Sequence, residues 1–185
     1  SLAGHKFHAP KGAGALFVRK GLKLPPMFFG HQERKRRGGT ENVPAIAGLG
    51  IACELVMRDL ETTCAQTAGL RDRLETSVLM RIPGTTLNGG LAPRIGNTSS
   101  ICFGGLQAEM ILDRLDKAHI CASSGAACTA GGTAPSHVLA AMGLSEGEAL
   151  ATVRFSLSRY TTAAEIDHVL DVLSSIVKRM TAEAA

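Results

Sequence analysis

The chain is 185 residues long, 45% hydrophobic and 19% charged, a composition that can bury a core and excludes disordered, fibrous and low-complexity classes. Lys and Arg number 20 against 16 Asp and Glu, so the formal charge of +4 suits an anionic small molecule but is a weak footprint for nucleic acid. No apolar stretch approaches the ~20 residues of a membrane span and the start lacks the order of a secretory signal, so a cytoplasmic protein is expected.

Residues 13–18, Ala-Gly-Ala-Leu-Phe-Val, read as a short buried strand closed by Arg19-Lys20-Gly21, and Pro25-Pro26 forces an extended segment after it. From Phe28 to Asn42 there is no periodicity, which reads as a long functional loop. Pro44 suits a first helical turn, so residues 44–58 are expected as a connecting helix. A second helix over about 59–80 carries Leu70, Leu74, Val78 and Leu79 and ends at Pro83-Gly84.

Asn97 to Phe103 reads as a strand, Gln107 to Lys117 as a helix with Met110, Ile111 and Leu115 on one face, and His119 to Ala122 as a short strand. Pro135 to Met142 reads as a short helix stopped by Gly143. Thr152 to Ser158 alternates, placing Val153, Phe155 and Leu157 inside and Arg154 on the opposite face. The last helix opens on the capping box Thr162-x-x-Glu165 and continues with Ile166, Val169, Leu170, Leu173, Ile176, Val177 and Met180. An α+β domain with helices on one face of a sheet is expected over residues 58–185. Residues 1–57 read as the end of a larger domain, and the opening Ser1-Leu2-Ala3, without methionine, as a piece lacking its upstream half.

Four groups of residues carry chemical potential. His5-Lys6 lies ahead of Pro10-Lys11-Gly12-Ala13-Gly14, and a lysine desolvated beside a buried strand is competent to form a Schiff base. Arg34-Lys35-Arg36-Arg37 before Gly38-Gly39-Thr40 could hold a phosphate through charge, backbone N–H groups and a hydroxyl, or could be a polyanion-binding patch. Cys128 sits among small residues in Ser123-Ser124-Gly125-Ala126-Ala127-Cys128, a setting for a travelling thiolate. The other cysteines (Cys53, Cys64, Cys102, Cys121) form no C-x-x-C pair, and most are expected as buried thiols. Arg154, with Arg159 as an alternative, offers a planar fork for a carboxylate.

These motifs in order resemble the cysteine desulfurases, most of all the nitrogen-fixation type. The resemblance runs along essentially the whole chain, through Ser1 to Gly12, Gly30 to Arg34, Arg37 to Asn42, Ser124 to Thr129 and Val153 to Arg159. It implies an α/β fold type I enzyme of the aspartate aminotransferase-like kind that uses pyridoxal 5'-phosphate. Residues 1–57 would close its large domain and residues 58–185 form its small C-terminal domain. Lys6 would bear the cofactor with His5, Gly4 and Ala3 beside it, and Thr40 would reach the cofactor phosphate of the other subunit of a homodimer. Arg154 would bind the carboxylate of L-cysteine. Cys128 would accept sulfur as a persulfide for an iron–sulfur scaffold or another acceptor protein, with a possible role as iron–sulfur ligand during transfer. Ala3 departs from the serine many relatives carry there, so phosphate would rest on fewer donors. The cofactor's acidic partner and stacking histidine would come from upstream of Lys6, so these residues alone would not turn over cysteine. A selenocysteine lyase, an aminotransferase-like relative and a non-enzymatic polyanion-binding module are the alternatives.

Overall fold

The computed structural model describes residues 1–125 and 135–183, and the chain divides into two compact units, Ser1–Leu60 and Glu61–Ala185. In the first, β1 (Leu2–Ala3) pairs antiparallel with β2 (Gly14–Ala15), Leu2 opposite Ala15 and Ala3 opposite Gly14. A 3₁₀ turn, Gly4–Phe7, lies between them. The buried strand expected over 13–18 is not formed: the ladder stops at Ala15, and Leu16 and Phe17 are 63% and 86% exposed. A two-residue ladder with one partner offers no second layer for those side chains to pack against.

The loop from Phe28 to Asn42 contains a single tight turn, α1 (Gln32–Lys35), in which Glu33, Arg34 and Lys35 all take positive φ. It is a left-handed turn rather than a stretch of right-handed helix. Helix α2 (Val43–Arg81) then runs unbroken for 39 residues where two helices were expected. Nothing in 44–80 after Pro44 terminates a helix, since an interior glycine such as Gly50 or Gly69 costs only about 1 kcal/mol against alanine.

The second unit is built on a three-stranded antiparallel sheet in the order β3 (Thr85–Leu87), β4 (Thr98–Phe103), β5 (Thr152–Ser156). Thr85 pairs with Phe103, and across the other edge Ser100 pairs with Arg154 and Ile101 with Val153. Helices α3 (Ala108–Lys117) and α6 (Ala163–Glu183), with the later turns of α2, cover one face. Their stripes are Ala108, Ile111 and Leu115; Ile166, Leu170, Leu173, Ile176, Val177 and Met180; and Leu74 and Val78. They close over Ile101, Phe103, Val153 and Phe155. Met110 and Leu79, expected on core faces, are 48% and 42% exposed, because the buried stripes fall at the positions just named.

Among the described residues two short helices follow, α4 (His137–Ala141) and α5 (Glu146–Leu150), the latter opened by a capping box between Ser145 and Glu148. Helix α6 has the expected box: Thr162 donates from its backbone N–H (2.7 Å) and its hydroxyl (2.9 Å) to Glu165 Oε2, and Glu165 N–H donates to Thr162 Oγ1. Residues His119 to Ala122 do not form the expected strand. His119 takes φ +60, and only Ser123 bridges to β5, through Arg154. Of the four cysteines described, Cys102 alone is buried; Cys53 is half-buried and Cys64 and Cys121 are exposed, contrary to the expectation of mostly buried thiols. Among the described residues no helix is long and apolar enough to cross a membrane.

Candidate active site

In the first unit the 3₁₀ turn presents His5 and Lys6 at the surface, both exposed. The turn is held by close backbone approach at Gly4: its N–H donates to Ala13 O, its carbonyl accepts from Ala9 N–H, and His8 closes the turn at φ +71. A Cβ on Gly4 would lie 2.9 Å from both Ala13 O and Leu49 Cδ1, so only glycine fits. Ala3, exposed, precedes the turn in an extended conformation. The desolvated lysine expected from the sequence is not provided by these residues, since Lys6 and Lys11 are both exposed and no buried strand follows them.

Thr40 is exposed at the end of the 28–42 loop. That loop is cinched where Gly38 N–H donates to Phe28 O at 2.9 Å, and a Cβ on Gly38 would fall 2.1 Å from Phe29 O. The Arg37 guanidinium sits 4.3 Å over the Phe28 ring, Gly39 N–H donates to Gln32 Oε1, and Asn42 Oδ1 accepts from Ala45 N–H at the start of α2. The basic run is thus partly spent on shaping the loop.

In the second unit Arg154 leaves the core side of β5, as its alternation predicts: Val153 and Phe155 are 0% and 4% exposed and Arg154 faces the other way. There it lines a cavity of about 420 Å³ on the sheet face opposite the three long helices. The floor is polar, from Asn88, Thr98, Ser100, Thr152 and Arg154, and the walls are apolar, from Ile95, Val138, Leu139 and Met142. Arg154 Nε is buried and has no hydrogen-bond partner among the described residues. A second guanidinium in the wall, Arg94, is committed to both oxygens of Glu75 at 2.7 and 2.6 Å. That hydrogen bond and charge hold Arg94 above even its usual range.

Cys128 lies outside the described residues; Gly125 and Ser136, from the chain on either side of that segment, both line the Arg154 cavity. Among the described residues no three His, Cys, Asp or Glu side chains gather as a metal site. Asn88, Ser100 and Thr152 were not singled out by sequence reasoning. The available signal was the period of two in β4 and β5, which puts Thr98, Ser100, Thr152 and Arg154 on one face.

The chain belongs to the aminotransferase class-V family, whose model matches residues 1–169. Within that family it is similar to a cysteine desulfurase of Nostoc sp., 51% identical over 98% of this chain and 46% of the relative. A NifS-like protein from Rickettsia africae superposes with a TM-score of 0.83 at 31% identity, over 95% of this chain and 46% of that one. SspA in complex with cysteine superposes at 0.60 and 33% identity, over 86% of this chain and 43% of that one. The chain therefore spans about half the length of the relatives it matches, and the expected fold, that of the pyridoxal-phosphate-dependent NifS-like enzymes, is the one found.

The residues present fit that cofactor in kind. A primary amine at Lys6 suits its aldehyde, and an imidazole at His5, a hydroxyl at Thr40 and backbone N–H groups suit its ring and phosphate, all on backbone held by close glycine contacts.

Proposed function

We propose that this chain carries the lysine, the substrate-binding arginine and the persulfide cysteine of a pyridoxal-phosphate-dependent cysteine desulfurase. The enzyme would convert L-cysteine to L-alanine and pass the sulfur to an acceptor protein for iron–sulfur cluster assembly. The observation that carries the reading is the cavity floor at Arg154: a planar cation on a rigid strand, with a buried donor lacking a partner among the described residues. That is the feature a carboxylate completes. The NifS-like and cysteine-desulfurase relatives favour this chemistry over transamination or selenocysteine cleavage, and membership of an enzyme family sets the polyanion-binding module aside.

In this reading Lys6, His5 and the backbone at Gly4 and Ala3 hold the cofactor, and Thr40 reaches the cofactor phosphate of the other subunit in a homodimer. Pyridoxal phosphate, when bound, supplies an electron sink for the substrate carbon. Arg154 fixes the substrate carboxylate and so orients the reacting atoms. Lys6, through its amine, carries protons to and from the substrate carbons. The Cys128 thiolate attacks the substrate sulfur: an S–S bond forms as the C–S bond breaks, the electron pair stays with carbon, and protonation there gives alanine. The sulfur remains on Cys128 as a persulfide.

Peptide mapping by mass spectrometry of the full-length enzyme after exposure to L-cysteine tests this directly. One added sulfur on Cys128 and not on Cys121 is expected, with sulfide output abolished in Cys128→Ala. Sulfide release undiminished in that variant would overturn the proposal.

A further inference from the structure

We propose that Ser100 is a second ligand for the substrate carboxylate, acting beside Arg154, and that Asn88 is the positioning residue that holds its hydroxyl in the donating orientation. The inference rests on the carboxylate role of Arg154 given above. Ser100 and Arg154 are direct cross-strand partners in β4 and β5, and both line the cavity. Residues so paired hold their Cβ atoms about 4.5–5.5 Å apart, so the two side chains leave neighbouring points of one sheet face and enter the same cavity.

The direction of that hydroxyl follows from a chain of hydrogen bonds. Thr152 Oγ1 donates its single proton to Glu148 O at 2.7 Å, so toward Asn88 it can only accept. Asn88 must therefore turn its amide nitrogen to Thr152, where Nδ2 lies 3.2 Å from Oγ1. The same nitrogen lies 3.2 Å from Ser100 Oγ. Ser100 Oγ accepts there, which leaves its own proton for another acceptor. A backbone bond fastens the arrangement, Asn88 N–H donating to Ser100 O at 2.9 Å.

Two donors thus stand at one register position of the sheet: the half-buried Ser100 hydroxyl, whose oxygen already accepts from Asn88, and the buried Arg154 Nε, which has no partner among the described residues. A buried polar group such as Arg154 Nε is rarely left unpaired, and a carboxylate, with two oxygens that only accept, would satisfy it with one oxygen and take the Ser100 proton with the other. Arg94 does not compete, because Glu75 occupies its fork.

The test uses the full-length holoenzyme. Binding of L-alanine and of L-alaninamide, which lacks the carboxylate, is followed through the cofactor's absorbance, alongside kcat and KM for L-cysteine. Ser100→Ala should weaken alanine binding about tenfold, the lower range for a hydrogen bond to a charged group, and leave alaninamide binding nearly unchanged. KM should rise by a similar factor with kcat little altered, Ser100→Thr should restore both, and Asn88→Ala should give a smaller loss of the same kind. Ser100→Gly serves as a second variant should Ser100→Ala fail to fold. If Ser100→Ala or Ser100→Gly keeps the full preference for alanine over alaninamide while Arg154→Ala loses it, the inference fails and the role of Arg154 stands. If Arg154→Ala also keeps the preference, the carboxylate reading itself fails.

Discussion

Replacing Glu75 with glutamine removes one charge from the ion pair that walls the Arg154 cavity and leaves the shape of the side chain intact. Glu75 is 5% exposed on α2, and its two oxygens accept from Arg94 at 2.7 and 2.6 Å, with Arg71 Nε 3.7 Å away. Arg71 keeps other partners, Asp72 and the Ile95 carbonyl, so the loss falls on Arg94. Removing one member of a buried pair costs about 3–5 kcal/mol when the other charge is left without compensation, and Arg94 keeps only the Thr98 carbonyl at 3.4 Å and the charge of Asp72. The Arg94 side chain is 23% exposed and recovers some hydration, which places Glu75→Gln near the low end, about 3 kcal/mol. For a unit of this size each kcal/mol lowers Tm by roughly 3 °C, so a drop of about 9 °C is expected in differential scanning calorimetry of the full-length protein. The double variant Glu75→Leu with Arg94→Met removes both charges and should recover to within about 1 kcal/mol of the parent. A single variant that loses less than about 1 kcal/mol, or a double variant as unstable as the single one, would refute the claim that a desolvated charge pair holds this wall.

Gly38→Ala should force open the 28–42 loop, since its Cβ would meet Phe29 O at 2.1 Å, and weaken pyridoxal phosphate binding about tenfold or more; Gly50→Ala, with nothing within 4 Å of the added carbon, is the control. Retained cofactor affinity in Gly38→Ala would show that the cinch does not position Thr40. Hydrogen bonds from the Thr162 backbone N–H and then its hydroxyl hold the Glu165 carboxyl below the usual carboxylate range, and the Ser145 hydroxyl and then its backbone N–H lower Glu148. A carboxyl depressed on folding contributes stability above its ordinary value of 4.5 that is lost as pH falls through the lower folded value. Glu165→Gln should therefore flatten the acid side of the stability profile below about pH 4.5, and an unchanged acid limb would count against the box. Burial pushes the Cys102 thiol up, so iodoacetamide at about pH 8 should label Cys64 and Cys121 in the native protein and Cys102 only after unfolding.

Legibility in the sequence tracked how local each cause was. Helix α6 was readable because its cap and its stripe both lie within one segment, and the facing of Arg154 was readable from the alternation of five residues in β5. Strand β3 was not, since Thr85 to Leu87 is too short to show a period and owes its conformation to pairing with β4. The apolar pattern of His119 to Ala122 was misleading because the backbone turns at His119. The exposure of Leu16 and Phe17 reflects what packs beside them, which no composition reports. The Asn88, Ser100 and Thr152 network joins residues 12 and 64 positions apart, so it emerges only once the sheet register is known.

The placement of Arg154 between Val153 and Phe155 couples ligand capture to the mechanical integrity of the sheet. Both neighbours are sealed into the hydrophobic interior, so the guanidinium cannot drift along the strand without unzipping β4 from β5. Whatever fills the pocket will consequently slow amide exchange along both strands, and fraying of the sheet will erode affinity before it dissolves the fold.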